Sequence, residues 1–170
     1  MRCLEPRTFS VVLMLLLLLS AEPRYSRGSS PVGAALASST PAACPVTYPD
    51  GSSPPGEQSH PAVGYANKNK TIWVGIPTSG VMAVRLEKDG WLWAPKIAWG
   101  RGVHGRLALT GRRLDQSALP MRSVVSDSYA DIGFQPTSLG FPSEGCWEIT
   151  GRVGGEELTF VNKVRRKQNW

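Results

Sequence analysis

An all-β fold, an antiparallel β-sandwich of about seven or eight short strands, is what this sequence predicts. Three observations carry that expectation. Apolar residues recur every second position in several short runs, turn signals separate the runs, and no long window after the N-terminal stretch shows a helical period. The 18 glycines and 14 prolines among 170 residues reinforce it, because each interrupts a helix interior. A closed barrel is the alternative architecture. The length allows one core-bearing domain and excludes a two-domain cofactor enzyme.

Residues 1–21 read as a signal peptide. Arg2 and Arg7 precede an apolar run from Val11 to Leu19, and the small residues Ser20 and Ala21 close it, with cleavage expected after Ala21. The run is about half the ~20 residues that a membrane-spanning helix needs, so the mature chain is expected to carry none. An uncleaved signal-anchor is the alternative. Residues 22–43 are rich in Ser, Ala, Pro and Gly and read as a flexible linker. The domain proper is expected over 44–164. Its first segment, 44–61, is irregular, with Pro45, Pro49, Pro54, Pro55 and Pro61 and a turn at Asp50-Gly51.

Period two begins near Thr71. Ile72, Val74 and Ile76 alternate with Thr71, Trp73 and Gly75. Pro77-Thr78-Ser79-Gly80 breaks the run, and Met82, Val84 and Leu86 resume it. Lys88-Asp89-Gly90 makes the next turn before Trp91-Leu92-Trp93, a hairpin signal. A strand follows within Gly105–Leu114, with Leu107 and Leu109 on one face, and Met121–Val125 is a weaker one. The last hairpin is the clearest. Trp147, Ile149 and Val153 share a face, Gly154-Gly155 turns the chain, and Leu158, Phe160 and Val164 return. Residues 165–170 are expected to form a basic tail.

Export leaves the mature chain two cysteines, Cys44 and Cys146, since Cys3 departs with the signal. Two thiols in an oxidising compartment are expected to pair; two free thiols are the rival reading. A bridge would close a loop of about 100 residues, worth up to ~4.7 kcal/mol in the chain-entropy account. With Trp147 facing the core, Cys146 faces outward or stands at the rim. The bridge would then clamp the N-terminal segment to the outside of the sandwich. A lipoprotein signal is a poor match: Pro41-Ala42-Ala43-Cys44 has Pro where Leu is wanted and lies well beyond the apolar run.

Several phrases resemble an uncharacterised family of secreted bacterial proteins. They are Phe134-Gln135-Pro136, Leu139-Gly140-Phe141-Pro142, Gly145-Cys146-Trp147-Glu148-Ile149-Thr150-Gly151-Arg152-Val153 and Leu158-Thr159-Phe160-Val161. Cys44-Pro45-Val46-Thr47, Arg101-Gly102-Val103-His104-Gly105-Arg106-Leu107 and Gly111-Arg112-Arg113-Leu114-Asp115 fit the same pattern. The resemblance covers most of 44–164 and brings no activity with it. The ending also resembles the last strands of immunoglobulin-like domains, which implies an immunoglobulin-like sandwich and nothing about function. The antibody pattern of two cysteines bracketing a core Trp is missing.

Catalytic signatures are scarce. The sequence contains no Gly-x-Ser-x-Gly elbow, no His-Glu-x-x-His, no Cys-x-x-Cys and no phosphate-cradling glycine loop. His60 lies in the proline-rich segment and His104 in a glycine-rich turn, and two distant histidines do not make a zinc site. No catalytic residue, metal or cofactor is therefore expected. The competing reading is a small secreted hydrolase using carboxylates among Asp115, Asp127, Asp131, Glu144 and Glu148 as acid and base.

Aromatic and basic residues offer the better candidates. Trp91, Trp93 and Trp99 crowd one stretch beside Lys96 and Arg101. On one strand Trp91 and Trp93 share a side, about 6–7 Å apart, and facing outward they would stack on sugar rings or a protein partner. Facing inward they are core, and the sequence leaves both orientations open. The net charge is +6, with Lys163, Arg165, Arg166 and Lys167 clustered near the C-terminus as a candidate polyanion-binding group. The expectation is a non-catalytic exported module, secreted or in the cell envelope, that binds or packs against a polysaccharide or protein there. Export argues against nucleic acid. Asn69-Lys70-Thr71 is a glycosylation sequon that matters only in a eukaryotic secretory pathway.

Overall fold

The computed structural model describes residues 43–56 and 63–167. The expected signal peptide 1–21, nearly all of the linker 22–43, His60 and residues 168–170 lie outside them. Within the described residues the chain is all-β. Ten strands form: β1 (Gly64–Ala66), β2 (Ile72–Gly75), β3 (Val81–Leu86), β4 (Leu92–Trp93), β5 (Ile97–Arg101), β6 (Ala108–Arg113), β7 (Arg122–Val125), β8 (Gly133–Phe141), β9 (Gly145–Val153) and β10 (Glu156–Arg166).

Hydrogen-bonded neighbours run β1-β2-β5-β8-β4-β3-β10-β9-β6, with β7 on the remaining edge of β8. Both β4 and β7 face Gly140, and both β5 and β7 face Thr137, so β4 and β5 lie along one edge of β8 and β7 along the other. One layer thus contains β7, β8, β5, β2 and β1, and the other β3, β10, β9 and β6. The short β4 ties them through β3. Two aromatic pairs bridge the layers: Trp99 with Phe160 at 6.0 Å, and Phe141 with Trp147 at 5.2 Å between ring centroids. Around them pack Ile72, Val74, Met82, Val84, Leu139, Ile149, Leu158 and Val164, all buried. Burying such side chains, at roughly 1.5–3 kcal/mol each, drives the collapse.

Two expectations change. Ten strands form where seven or eight were expected, because the stretch from Leu92 to Arg101 breaks in two and Gly64–Ala66 adds an edge strand. The sandwich is also not purely antiparallel: β10 runs parallel to β3, Val164 beside Met82 and Arg166 beside Val84. That pairing keeps the C-terminus in the sheet. Arg165 and Arg166 are the last residues of β10, and the Lys167 N–H donates to the Val84 carbonyl at 2.8 Å, so residues 165–167 of the expected tail belong to the sheet instead.

The last hairpin follows its sequence closely. Gly154 and Gly155 both take positive φ, 56° and 83°, between the paired residues Val153 and Glu156. A two-residue loop with that geometry matches the right-handed twist of its strands, which favours glycine at both positions.

Cys44 and Cys146 form a disulfide, S–S 2.05 Å, across 102 residues. Cys146 stands on the side of β9 opposite Trp147 and is buried nonetheless, 4% exposed, because the N-terminal segment covers it. From there the segment becomes a strap. The Thr47 N–H donates to the Val161 carbonyl and its hydroxyl accepts from the Val161 N–H, beside the point where β3 begins to pair with β10. Further on, the Trp73 indole donates to the Ser52 carbonyl at 2.7 Å, and Pro54 and Pro55 lie against Gly100 and Gly102. The strap explains why Ile72, Trp73 and Val74 are all buried: β2 is covered on both faces.

Candidate binding face

The decisive local feature is a break between β4 and β5. Leu92 faces Phe141 and Trp93 faces Gly140, yet Ile97 faces Thr137, so one strand advances five residues while its partner advances four. The extra residue is a β-bulge holding Pro95 and Lys96, both exposed. Pro95 lacks an N–H for the ladder, which suits it to such a position. An inserted residue inverts the facing of everything beyond it. Before the bulge the even positions Leu92 and Ala94 point inward; after it the odd positions Ile97, Trp99 and Arg101 do.

The three tryptophans therefore separate. Trp91 and Trp93 are half-exposed on the outer face. Trp99 is fully buried, its indole donating to Thr137 Oγ1 at 3.2 Å. Expecting Trp99 at a ligand face was wrong, and the reason is the bulge. Arg101 departs from its expected role in the same way. It is 3% exposed, with guanidinium nitrogens donating to the carbonyls of Gly105 (3.0 Å) and Ala130. Lys96 remains exposed.

Trp91 and Trp93 are held by Asp89 in the preceding turn. One Asp89 oxygen accepts from the Trp91 N–H at 3.0 Å and the other from the Trp93 indole at 3.1 Å. These two hydrogen bonds hold the Asp89 carboxyl below the usual carboxylate range. The Trp93 ring lies against Gly140, where an added Cβ would come within 3.0 Å of the indole. Arg122, from the far edge of β8, places its guanidinium 3.8 Å from the Trp91 ring centroid. Arg122 is absent from the sequence-based candidates. Its neighbours in the chain gave no sign that it reaches Trp91, since that depends on β7 and β4 flanking the same strand.

The carboxylates sit apart from the tryptophans and each meets a basic side chain. Asp115 pairs with Arg113 at 2.5 Å, Asp127 with Arg106 at 2.9 Å, Glu148 with Arg112 at 2.6 Å, and Glu144 approaches Arg165 at 3.8 Å. Asp131 meets His104 Nδ1 at 2.8 Å and accepts from the Gly105 N–H at 3.0 Å. Bonding to Arg113 holds Asp115 low, and bonding to His104 and then to Gly105 does the same for Asp131. A general acid requires the opposite shift. Asp127 and Asp131 line one groove of about 220 Å³, and Asp115 and Glu144 another of about 420 Å³ beside the disulfide. The second also contains Lys163 and Arg165; the described residues contain no group of three His, Cys, Asp or Glu side chains placed to hold a metal.

Asn69 of the sequon donates to Glu156 at 3.1 Å, and its neighbour Asn67 orders the same loop by accepting from the N–H groups of Thr71 and Ile72. Among the described residues no helix is long and apolar enough to cross a membrane. No known protein family matches the chain, and no curated protein matches it.

Proposed function

We propose that this protein is an exported, non-catalytic sandwich module that holds an extracellular or cell-envelope partner against the Trp91–Trp93 face. The outward placement of both tryptophans, with a guanidinium over one of them, carries the reading. Core aromatics need no partner, whereas a fixed outward pair is the composition of a recognition surface. Export is supported by the charged, apolar, small-residue order of the N-terminus and by the disulfide. The last hairpin supports an immunoglobulin-like sandwich, which is a statement about fold alone.

Co-sedimentation of the purified protein with cell-envelope polysaccharide tests this reading, at low salt and at about 0.5 M, where the screening length is ~4 Å. Binding is expected to weaken in salt but persist, and to disappear in the Trp91→Ala/Trp93→Ala double variant. Reproducible turnover of glycosides, esters or peptides would overturn the non-catalytic reading instead.

A second reading rests on the groove beside the disulfide, where Lys163 and Arg165 stand with Arg113. It makes the basic cluster of Lys163, Arg165, Arg166 and Lys167 a holder of polyanions. Because Arg165 and Arg166 belong to β10, side-chain replacement tests it better than truncation. Salt-sensitive binding lost in Lys163→Ala/Arg165→Ala, with the tryptophans intact, would favour it.

A further inference from the structure

We propose that the partner at the Trp91–Trp93 face is an acidic polysaccharide, a uronate-bearing chain whose carboxylate is taken by Arg122 while a sugar ring lies on Trp93. The inference rests on the function proposed above and names its ligand class.

A row of residues crosses four strands on the outer side of the sheet: Arg85 of β3 faces Trp93 of β4, which faces Gly140 of β8, which faces Arg122 of β7. Gly140 has no side chain, so the indole of Trp93 settles between the two arginines. An indole in that position offers an apolar surface suited to the C–H face of a pyranose ring. The guanidinium of Arg122 is stacked on Trp91, and stacking occupies its plane but leaves its N–H edges open. Those edges match a carboxylate in the two-bond geometry characteristic of arginine.

Among the described residues the cations of this face carry no ion pair. Arg106, Arg112, Arg113 and Arg152 each pair with a carboxylate within 3 Å. Arg85, Lys96 and Arg122 form no such pair among the described residues. Both oxygens of Asp89, in the turn before β4, are engaged by the tryptophans. Glu87 and Lys88 of the same turn offset each other, which leaves three cations against one carboxylate.

The next row along β8 continues the site. A groove of about 230 Å³ is lined by Lys96, Val124, Tyr129 and the hydroxyl residues Ser126, Ser128 and Ser138, with no carboxylate. The three other grooves described on this protein each contain at least one acid. Hydroxyls, one lysine and a ring suit the polar rim of a sugar, and a shallow groove without a deep apolar pocket offers no seat for an acyl chain.

Affinity electrophoresis of the disulfide-intact protein tests this, with polygalacturonate, its methyl ester and polyglutamate as probes. Polygalacturonate is expected to retard the protein, and Trp93→Ala and Arg122→Ala each to weaken that by about tenfold or more. Lys68→Ala, which removes the same charge from an exposed turn elsewhere, is expected to leave it unchanged. Equal retardation by the methyl ester, lost in Trp93→Ala, would overturn the acidic class while leaving a carbohydrate-binding face standing. Polyglutamate binding as tightly as polygalacturonate, or Lys68→Ala weakening it as much as Arg122→Ala, would overturn the uronate site in favour of unspecific charge. No retardation by either glycan overturns it outright, and the co-sedimentation above then decides whether the face binds anything.

Discussion

Single residues decide much of the interior. Gly151 on β9 faces the benzo edge of Trp99, and an added Cβ would stand 2.5 Å from the ring. Trp99 is fully buried between the layers and has no room to retreat. Gly151→Ala is therefore expected to cost about 1–3 kcal/mol, the usual toll of overpacking, read as a lower urea midpoint at unchanged slope. Asp131 makes the second residue-scale prediction. Its carboxyl is held below the usual range by His104 and Gly105, so the ionised form favours the fold. That contribution is fully present above the unfolded carboxylate value and is lost as pH falls through the lower folded value. Melting temperature followed from pH 7 into acid should show a shallower decline in Asp131→Asn than in the wild type. Their pairing was not legible in the sequence, because His104 and Asp131 come from different loops and meet only through the pairing of β5 with β8.

At the scale of elements the bulge at Pro95-Lys96 is the controlling device. Removing one residue there would join β4 and β5 into a regular strand and oppose their two facings. Either Trp99 would leave the core or Trp91 and Trp93 would enter it. Deletion of Pro95 is expected to abolish the cooperative fold, seen as loss of near-ultraviolet dichroism, whereas Pro95→Ala keeps the residue count and should retain it. The strands themselves were largely legible: period two marked Ile72–Ile76, Met82–Leu86 and both arms of the last hairpin, and the glycine pair marked its turn. The separation of Trp99 from Trp91 and Trp93 was not. A run of odd-numbered tryptophans reads as one face until the register of the opposite strand shows an extra residue. Edge strands were weak for a related reason. Arg122–Val125 of β7 is exposed along most of its length, so no buried face imposes an alternation.

Across the whole molecule the disulfide and the strap close the N-terminal segment onto the sandwich. Loss of the bridge in Cys44→Ser/Cys146→Ser is expected to cost about 2–5 kcal/mol, measured as a shift in denaturation midpoint. The Thr47 bonds to Val161 and the cover of Ser52 over Trp73 remain in that variant, so a folded protein of reduced stability is the expected result. The strand pattern, the turns, the cysteine pairing and the outward placement of Cys146 could be derived from the sequence, because each depends on local periodicity or on the two cysteines that lie beyond the N-terminal apolar run. Which tryptophans face solvent, where Arg101 and Arg122 go, and how far the last strand extends were settled only by tertiary structure. These depend on pairing between distant strands, where one inserted residue or one parallel neighbour changes the direction of every side chain that follows.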